Sequence, residues 1–363
     1  MSLPPGCEPA CRGCYHRDIP LDKSLAQKTA WLKKILKPWE DKILDFSYVP
    51  WDDQLAYRDK VSLNAVFEEG RWCFGLPRKQ RVIRIPDCPV HAPLINENMK
   101  VLTRYLPGPE ELPLAFYVQS GKQLILVVRA AGLEGFHWPE PLLRELMALG
   151  NEGIWLHLNP EAGEKVLSRY QWHLLYGKPR SMSPLKLIYG PMSYQQVIPS
   201  LYIKAIQICQ SFFDFSPGDG IADLYCGTGG SLVAWTRAGA QGIGVDINGE
   251  AVECARMNVM GTLVLRGKCA DRLSQIDEWI QYKQISRFLV YTNPPKTGME
   301  EETLHWLMHT ARPVRMAYMS CSASTMAADL KQLSDHDYRV VSVYPFDSYP
   351  RTHHVECLAL LER

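Results

Sequence analysis

The sequence predicts an α/β protein, with a doubly wound, mostly parallel sheet in its C-terminal part and a mixed α+β region before it. From about residue 190, short apolar strands alternate with helical segments, a pattern typical of parallel sheets. A glycine-rich turn follows the first of these strands, and three cysteines lie between residues 7 and 14. These observations indicate a ligand-binding α/β domain that is preceded by smaller regions.

The composition is that of an ordinary globular protein of 363 residues, with 46% hydrophobic and 22% charged residues. Because the net charge is +1, any nucleic-acid partner has to be bound by a local basic surface, by grooves or by stacking. No apolar run is long enough to span a bilayer, and the first residues lack a secretory signal pattern. We therefore expect a cytoplasmic protein without a membrane partner, whose clustered cysteines bind metal or react rather than form disulfides.

Three regions follow one another along the chain. Residues 1–48 contain the clustered cysteines and a helix. Residues 49–185 contain mixed strands and helices, including a hairpin that turns at Glu69. Residues 186–363 contain the alternating strands and helices. The sequence thus predicts three domains with these boundaries.

The glycine-rich turn has the features of a nucleotide site. In "DLYCGTGG", Gly227, Gly229 and Gly230 lie between a strand and a helix, where glycines let the backbone approach a ligand and the helix N-terminus favours negative charge. Asp246 ends the next strand, 23 residues after Asp223, where a carboxylate can accept hydrogen bonds from ribose hydroxyls. The order of acid and glycines resembles the first motif of S-adenosylmethionine-dependent methyltransferases.

The segment "NPP" at 293–295 supports this interpretation. It is a stiff element after a buried strand, at the carboxyl end where α/β ligand sites form. It is typical of two groups of methyltransferases. In base amino-methyltransferases an aromatic residue follows and stacks on the target base, whereas here Lys296 follows. The sequence therefore favours the RNA uracil-C5 methyltransferases, with a base amino-methyltransferase as the second enzyme interpretation.

Taken in order, the motifs resemble those of the family of RNA 5-methyluridine methyltransferases, which act on ribosomal or transfer RNA. The matching motifs are the cysteines at 7, 11, 14 and 88, "DLYCGTGG", "NPPKTG", "SCSASTMAADL" and "PRTHHVE". The resemblance runs through nearly the whole chain. It implies an iron–sulfur cysteine segment, a central α+β RNA-binding domain and a C-terminal Rossmann-like methyltransferase domain that uses S-adenosylmethionine.

The resemblance also implies catalytic roles for two residues. Uracil C5 is a poor nucleophile until a thiolate adds to C6, and Cys321 matches the family's attacking cysteine. A base must then remove the C5 proton, and Glu356 matches the family's carboxylate. Without the resemblance, Cys321 would be interpreted as a packing thiol and Glu356 as a solvated acid that begins a strand.

Other residues could take these roles. Cys226 and Cys357 are rival thiols, although Cys226 lies within the glycine-rich turn and Cys357 points away from Glu356 in a strand. His353 and His354 are rival bases, with a surface or packing role as the alternative.

The resemblance implies a set of cofactor contacts. Of Gln195 and Gln196 in "SYQQV", the Gln-Val pair selects Gln196 as the family's glutamine. Asp271 could meet the adenine amine in an uncertain register. The predicted cofactor-binding residues are Gln196, Tyr225, Gly227, Asp246 and Asn293.

Departures from the family pattern bear on the substrate and on activity. Many members carry aspartate at the position of Asn293, and the asparagine form resembles the ribosomal RNA branch. We therefore expect a monomer that acts on structured RNA, with 23S rRNA favoured and tRNA as the alternative. Lys296 replaces the usual arginine, and Ile198 and Gly230 replace asparagines. A catalytically idle RNA-binding factor on the same fold is the interpretation from another class.

The first three cysteines, at 7, 11 and 14, combine with Cys88 to offer four thiolates. Four cysteines hold zinc tetrahedrally or a cubane iron–sulfur cluster, and their spacing leaves both open. The resemblance implies a [4Fe-4S] cluster with a structural role.

A basic stretch in the central region suggests where RNA binds. These side chains could meet phosphates or form a solvated edge, and the target uridine has to leave its stack to expose C6. The basic residues are Arg58, Lys60, Arg78, Lys79, Arg81 and Arg84.

Overall fold

The computed structural model describes residues 3–163, 165–168 and 171–363. The α-helices are α1 (Leu21–Ile35), α2 (Pro93–Tyr105), α3 (Glu140–Ala148), α4 (Pro199–Phe213), α5 (Gly230–Arg237), α6 (Gly249–Asn258), α7 (Leu273–Tyr282), α8 (Glu301–Trp306) and α9 (Ala323–Ser334). The strands are β1 (Lys60–Glu68), β2 (Arg71–Arg78), β3 (Arg81–Arg84), β4 (Leu114–Ser120), β5 (Gln123–Val128), β6 (Gly153–Leu158), β7 (Trp172–Gly177), β8 (Ser181–Met182), β9 (Ile188–Tyr189), β10 (Asp219–Leu224), β11 (Gln241–Asp246), β12 (Leu263–Arg266), β13 (Arg287–Thr292), β14 (Arg315–Ser320), β15 (Arg339–Phe346) and β16 (Glu356–Glu362). Within the described ranges, no helix combines the length and the apolar character that a membrane crossing requires.

The chain forms two compact units. The small unit comprises the described parts of residues 1–18, 50–183 and 189–197, and the large unit comprises residues 19–49, 184–188 and 198–363. Helix α1, which the sequence grouped with the cysteine segment, therefore lies in the large unit.

The small unit is built on a sheet with the strand order β3-β2-β1-β4-β5-β6-β7. Neighbouring strands are antiparallel except β5 and β6, which are parallel. The predicted hairpin turns at Glu69 and Gly70, which both have positive φ as a two-residue hairpin turn requires. Trp72, Leu102 and Tyr117 belong to the core between this sheet and its helices. The mixed α+β character of this region is as predicted.

The large unit contains the doubly wound sheet, with the strand order β12-β11-β10-β13-β14-β16-β15. Strands β10 to β14 pair in parallel, and β16 is antiparallel to both of its neighbours. The strand order reverses between β10 and β13, so the loops that follow these two strands diverge. Such a topological switch point creates a crevice at the carboxyl ends of the strands, where ligands bind in this class of sheet.

Helix α1 contributes to the core of the large unit. Its Leu32 and the following Leu36 are fully buried with side chains of the sheet, and the helix ends before Pro38 as predicted. The Lys28 Nζ lies 2.5 Å from Asp347 Oδ1, and both side chains are buried. Because removal of one partner from a buried ion pair leaves an uncompensated charge, this contact fixes the helix to the end of β15.

Candidate active site and cysteine group

The loop after β10 forms one wall of the crevice at the switch point. Tyr225 adopts a left-handed backbone with φ of 61°, and Gly227 follows with φ of 54°. A Cβ atom added to Gly227 would meet no atom within 4 Å, so there is open space beside its backbone. The turn therefore has the conformation and the room that a nucleotide-type ligand needs.

Asp246 stands at the end of the adjacent strand and faces this turn. Its Oδ2 accepts a hydrogen bond from Gly227 N at 2.8 Å, and its Oδ1 accepts one from Asn248 N at 2.7 Å. Burial raises the pKa of Asp246, and these two backbone hydrogen bonds oppose that rise. Each carboxylate oxygen retains a lone pair, so Asp246 can still accept from a ligand hydroxyl.

The Tyr225 hydroxyl donates a hydrogen bond to Glu300, the residue that precedes α8. Burial is the main reason why the pKa of Tyr225 is raised, and the nearby Cys269 adds to it. Glu300 could not be identified from the sequence, because it lies 75 positions from Tyr225 and no motif links the two residues. The contact holds the left-handed tyrosine against the segment that follows "NPP".

The loop that begins at Asn293 forms the second wall of the crevice. Asn293 N donates to Leu224 O at 3.3 Å, which joins the ends of β13 and β10. Further along, Thr325 Oγ1 donates to Lys296 O at 2.9 Å. This loop is therefore tied to the first turn of α9, which begins just after Cys321.

Cys321 follows β14 and is half-buried. Its pKa is raised, first by burial and then by the negative charge of Glu356, while Lys296 acts in the opposite direction. The carboxyl of Glu356 and the ammonium group of Lys296 thus each lie within electrostatic range of the Cys321 thiol. These three groups come from three separate sequence motifs.

Glu356 begins β16 and is 4% exposed, so it is not the solvated acid that its position in the sequence also allowed. It pairs with Phe346 of β15, and the next residue pairs with Ser320 of β14, directly before Cys321. Burial raises the pKa of Glu356, and a hydrogen bond with Ser348 opposes that rise. A carboxylate with a raised pKa is a stronger base than a solvated one, which suits it to accept a proton.

The rival residues have different surroundings. Cys226 and Cys357 are 6% and 0% exposed, and burial raises the pKa of both thiols. His353 and His354 are exposed. The half-buried Cys321 is therefore better placed to meet a ligand than either buried thiol.

The remaining predicted cofactor residues differ in location. Gln196 belongs to the small unit and is half-buried, whereas Asp271 is exposed in a short 3-10 turn of the large unit. Asp223, the first acid of the glycine motif, is fully buried and accepts a hydrogen bond from Trp235 Nε1 at 3.0 Å. Burial raises its pKa to about 7.

The four predicted metal-binding cysteines belong to the small unit, and each is half-buried. Burial raises the pKa of Cys14 to about 11, and the charges of Cys88, Cys11 and Cys7 contribute to the rise. A Cβ atom on Gly6 would lie 2.3 Å from Asp87 O, so the chain before Cys7 contacts the chain before Cys88. The four thiols therefore share one neighbourhood.

No His, Cys, Asp or Glu side chains among the residues that the structure describes form a group of three or more able to hold a metal ion. The cysteine group does include a nearby cation, because the Arg58 guanidinium lowers the pKa of Cys14 and, after burial, contributes to the lowering of the pKa of His91 to about 4. Arg58 was expected to meet phosphates. Lys60, expected to do the same, donates to Ser193 O at 2.7 Å.

Comparison with known proteins identifies relatives of the whole chain. The sequence model of the family described as tRNA (Uracil-5-)-methyltransferase matches residues 192–363. Uncharacterized RNA methyltransferases from Thermosynechococcus vestitus and Caldanaerobacter subterraneus are each 26% identical, over 97% of this chain and 82% of the relative. An uncharacterized RNA methyltransferase from Bacteroides thetaiotaomicron is 33% identical over 52% of this chain and 42% of its own length.

A solved structure shares the fold. The tRNA (uracil-54, C5)-methyltransferase of Pyrococcus abyssi, in complex with S-adenosyl-L-homocysteine, aligns with a TM-score of 0.69 and 20% sequence identity. The alignment covers 98% of this chain and 86% of that chain. The predicted α/β methyltransferase fold is therefore confirmed.

Proposed function

We propose that the chain, an S-adenosylmethionine-dependent RNA methyltransferase whose residues 192–363 belong to the uracil-5-methyltransferase family, methylates C5 of a uridine in structured RNA. The observation that carries this proposal is that Glu356 and Lys296 both lie within electrostatic range of Cys321. A nucleophile, a base and a cation are the three functions that addition to uracil C6 and proton removal from C5 require.

In the proposed reaction, the Cys321 thiolate adds to C6 of the uracil, and C5 becomes the nucleophilic carbon of an enolate. S-adenosylmethionine supplies the methyl group, whose bond to sulfur breaks as the bond to C5 forms. Glu356 then accepts the C5 proton, the bond between C6 and sulfur breaks, and its electrons remain on the thiolate. The positive charge of Lys296 favours the thiolate before addition and after release.

The crevice at the switch point supports binding of the methyl donor there. Gly227 leaves open space beside the turn, Asp246 can accept from ribose hydroxyls, and Tyr225 is held by Glu300. Asn293 would face the reacting base, since its amide can both donate and accept. Gln196 is proposed as a further cofactor contact on the basis of the family resemblance.

For the RNA, we propose 23S rRNA in the cytoplasm, because Asn293 resembles the ribosomal branch. The second candidate is tRNA, which is favoured by the description of the matching family and by the name of the P. abyssi protein. In either RNA the uridine has to be unstacked, as in a loop or by flipping, before a thiol can reach C6.

We further propose that Cys7, Cys11, Cys14 and Cys88 hold a [4Fe-4S] cluster. Their thiols lie close enough to raise the pKa of Cys14, and Arg58 offers a compensating positive charge. Zinc, which four thiolates bind tetrahedrally at about 2.3 Å, is the alternative occupant of the same four residues. Bound in this way, the cluster would join the chain before α1 to the small unit.

The proposal is tested by incubating the protein with methyl-labelled S-adenosylmethionine and, separately, with unmodified 23S rRNA and unmodified tRNA, followed by digestion to nucleosides. We expect labelled 5-methyluridine from the 23S rRNA. Label in the tRNA alone would show that tRNA, and not 23S rRNA, is the substrate. Label in an exocyclic amino group would indicate a base amino-methyltransferase. RNA binding without any labelled nucleoside would support the idle RNA-binding factor instead.

A further inference from the structure

In the small unit, exposed basic side chains lie on the cysteine loop, residues 7–14, and on a hairpin that contacts this loop. We call this group the cationic ridge. Its members are Arg12, Arg78, Lys79 and Arg81, all of which are exposed. Arg78 and Arg81 pair across the hairpin of β2 and β3, and Lys79 lies in its turn.

Contacts within the small unit join the cysteine loop to the hairpin. Arg78 Nη1 donates to Ala10 O at 3.0 Å. A Cβ atom on Gly13 would lie 3.2 Å from Leu76 Cδ1. Arg12 lies between these two contacts in the chain, so its backbone runs beside the hairpin.

A second arginine fixes the conformation of the cysteine loop. The Arg17 guanidinium donates to the carbonyl oxygens of Glu8, Pro9 and Cys11 at 3.1, 2.7 and 2.6 Å. Together with the contact of Arg78, two arginines satisfy four successive carbonyl groups. The ridge therefore projects from an ordered backbone, which reduces the entropy lost when a partner binds.

The four members of the cationic ridge share one feature of charge balance. Among the described residues, none of them forms an ion pair with a carboxylate. Several other exposed cations of the unit do pair with nearby acids. Examples are Arg71 with Glu69, Arg84 with Glu68, Lys100 with Asp87, Arg104 with Glu145 and Arg144 with Glu140.

The turn of this hairpin begins with the same backbone conformation as another hairpin turn of the sheet. Lys79 has a φ of 54°, and Glu69, the first residue of the turn between β1 and β2, has a φ of 53°. Next to Cys14, the Tyr15 ring is 57% exposed, which offers a surface on which a base can stack.

We propose that the cationic ridge binds the phosphate backbone of the substrate RNA, an inference that rests on the proposed function. The chain as a whole is almost neutral, so a local set of cations without acidic partners is what attracts a polyanion. The exposed aromatic ring favours RNA over an acidic protein surface or a lipid headgroup.

The test uses the full chain with both Lys79 and Arg81 changed to glutamine (K79Q/R81Q). The matched control is R104Q/R144Q, which removes two exposed cations that are paired with acids. Binding of a fluorescein-labelled 23S rRNA fragment is measured by anisotropy over a range of salt concentrations, and S-adenosylhomocysteine binding is measured by calorimetry. We expect K79Q/R81Q to bind RNA roughly tenfold more weakly, with a salt slope lower by about 2.

We expect the control and the binding of S-adenosylhomocysteine to remain unchanged. Equal RNA affinity and slope in K79Q/R81Q and wild type would overturn the inference, as would equal losses in K79Q/R81Q and the control. If K79Q/R81Q lost binding to phosphatidylglycerol vesicles but bound RNA as wild type does, the partner of the ridge would be a membrane surface and not RNA. Wild type that binds RNA through the ridge but forms no 5-methyluridine contradicts the proposed function and leaves the ridge in place.

Discussion

Cys321 in the large unit and Cys14 in the small unit are both half-buried thiols whose pKa is raised mainly by burial. Their neighbours differ. Cys321 has one carboxyl and one lysine nearby, whereas Cys14 has three other thiols and Arg58. A thiol beside a carboxyl and a cation that stabilises the thiolate can react and be regenerated. A thiol beside other thiols can instead bind a metal together with them. The difference between the two sites therefore lies in the neighbours and not in burial.

The two units also position these groups by different means. In the large unit, the reactive groups stand at the ends of hydrogen-bonded strands, so the register of β14 and β16 sets where Cys321 and Glu356 lie. In the small unit, the cysteines lie in loops, and Arg17 fixes the first of these through three carbonyl groups. A site built on strand ends is held by the whole sheet, whereas a site built on loops depends on a few side chains.

The largest effect is expected when the Cys321 thiol is removed, which tests whether this thiol is the reactive one of the two. In Cys321→Ala we expect 5-methyluridine formation to fall by roughly 10⁴-fold or more, because no other thiol is half-buried beside Glu356 among the described residues. Binding of S-adenosylhomocysteine should be unchanged in calorimetry. The control is Cys209→Ala, which removes a fully buried thiol of α4 and should lower stability but not abolish turnover. Turnover in Cys321→Ala would show that another residue is the nucleophile.

The next largest effect is expected when the base is neutralised. Glu356→Gln should lower turnover by roughly 10²- to 10⁴-fold, since addition and methyl transfer proceed but the C5 proton has no acceptor. A covalent complex of protein and RNA should then accumulate and be visible on a denaturing gel. Glu362→Gln, at the other end of β16, is the control and should retain activity. Unchanged turnover without a covalent complex would exclude Glu356 as the base.

The cysteine group predicts an effect that is confined to the small unit. For Cys88→Ser, purified without oxygen, we expect iron to fall from about four atoms per chain to below one. S-adenosylhomocysteine affinity should be unchanged. Cys73→Ser alters a half-buried thiol of the same unit and should keep its iron. Wild-type protein that contains zinc, or neither metal, would contradict the cluster proposal.

The smallest expected effect concerns Asp223, which extends the comparison from thiols to an acid. Because its folded-state pKa is raised to about 7 from 3.8, the folded state holds the proton more tightly than the unfolded state. The stabilisation is complete below about pH 4 and is lost as the pH rises through about 7. Urea unfolding should therefore show a loss of roughly 2–4 kcal/mol from this group between these pH values. Asp223→Asn should lack this component, and a pH profile parallel to that of wild type would refute it.

Local features of the fold follow from the sequence. The hairpin at Glu69, the end of α1 before Pro38 and the glycine turn after β10 each depend on residues that are neighbours in the chain. The unit to which α1 belongs cannot be predicted from the sequence. An amphipathic pattern shows that a helix has a buried face, but it does not show which core covers that face. Leu32 packs in the core of the large unit, which only the three-dimensional structure shows.

The candidate site shows the same limit. Cys321 and Glu356 were found through motifs, but the burial of Glu356 depends on strands β14 and β15 on either side of it. The contact of Tyr225 with Glu300 joins two segments that only the parallel sheet brings together. Sequence patterns therefore identified the reactive residues, whereas their electrostatic environment required the tertiary structure.

The buried contact between Lys28 and Asp347 joins residues that are 319 positions apart. During synthesis on the ribosome, Lys28 of α1 therefore emerges 319 residues before its buried partner. Contacts of such long separation slow folding, and apolar faces that wait for partners are prone to aggregation. Helix α1 should therefore depend on chaperones during synthesis, and the yield of folded protein should be sensitive to the speed of translation.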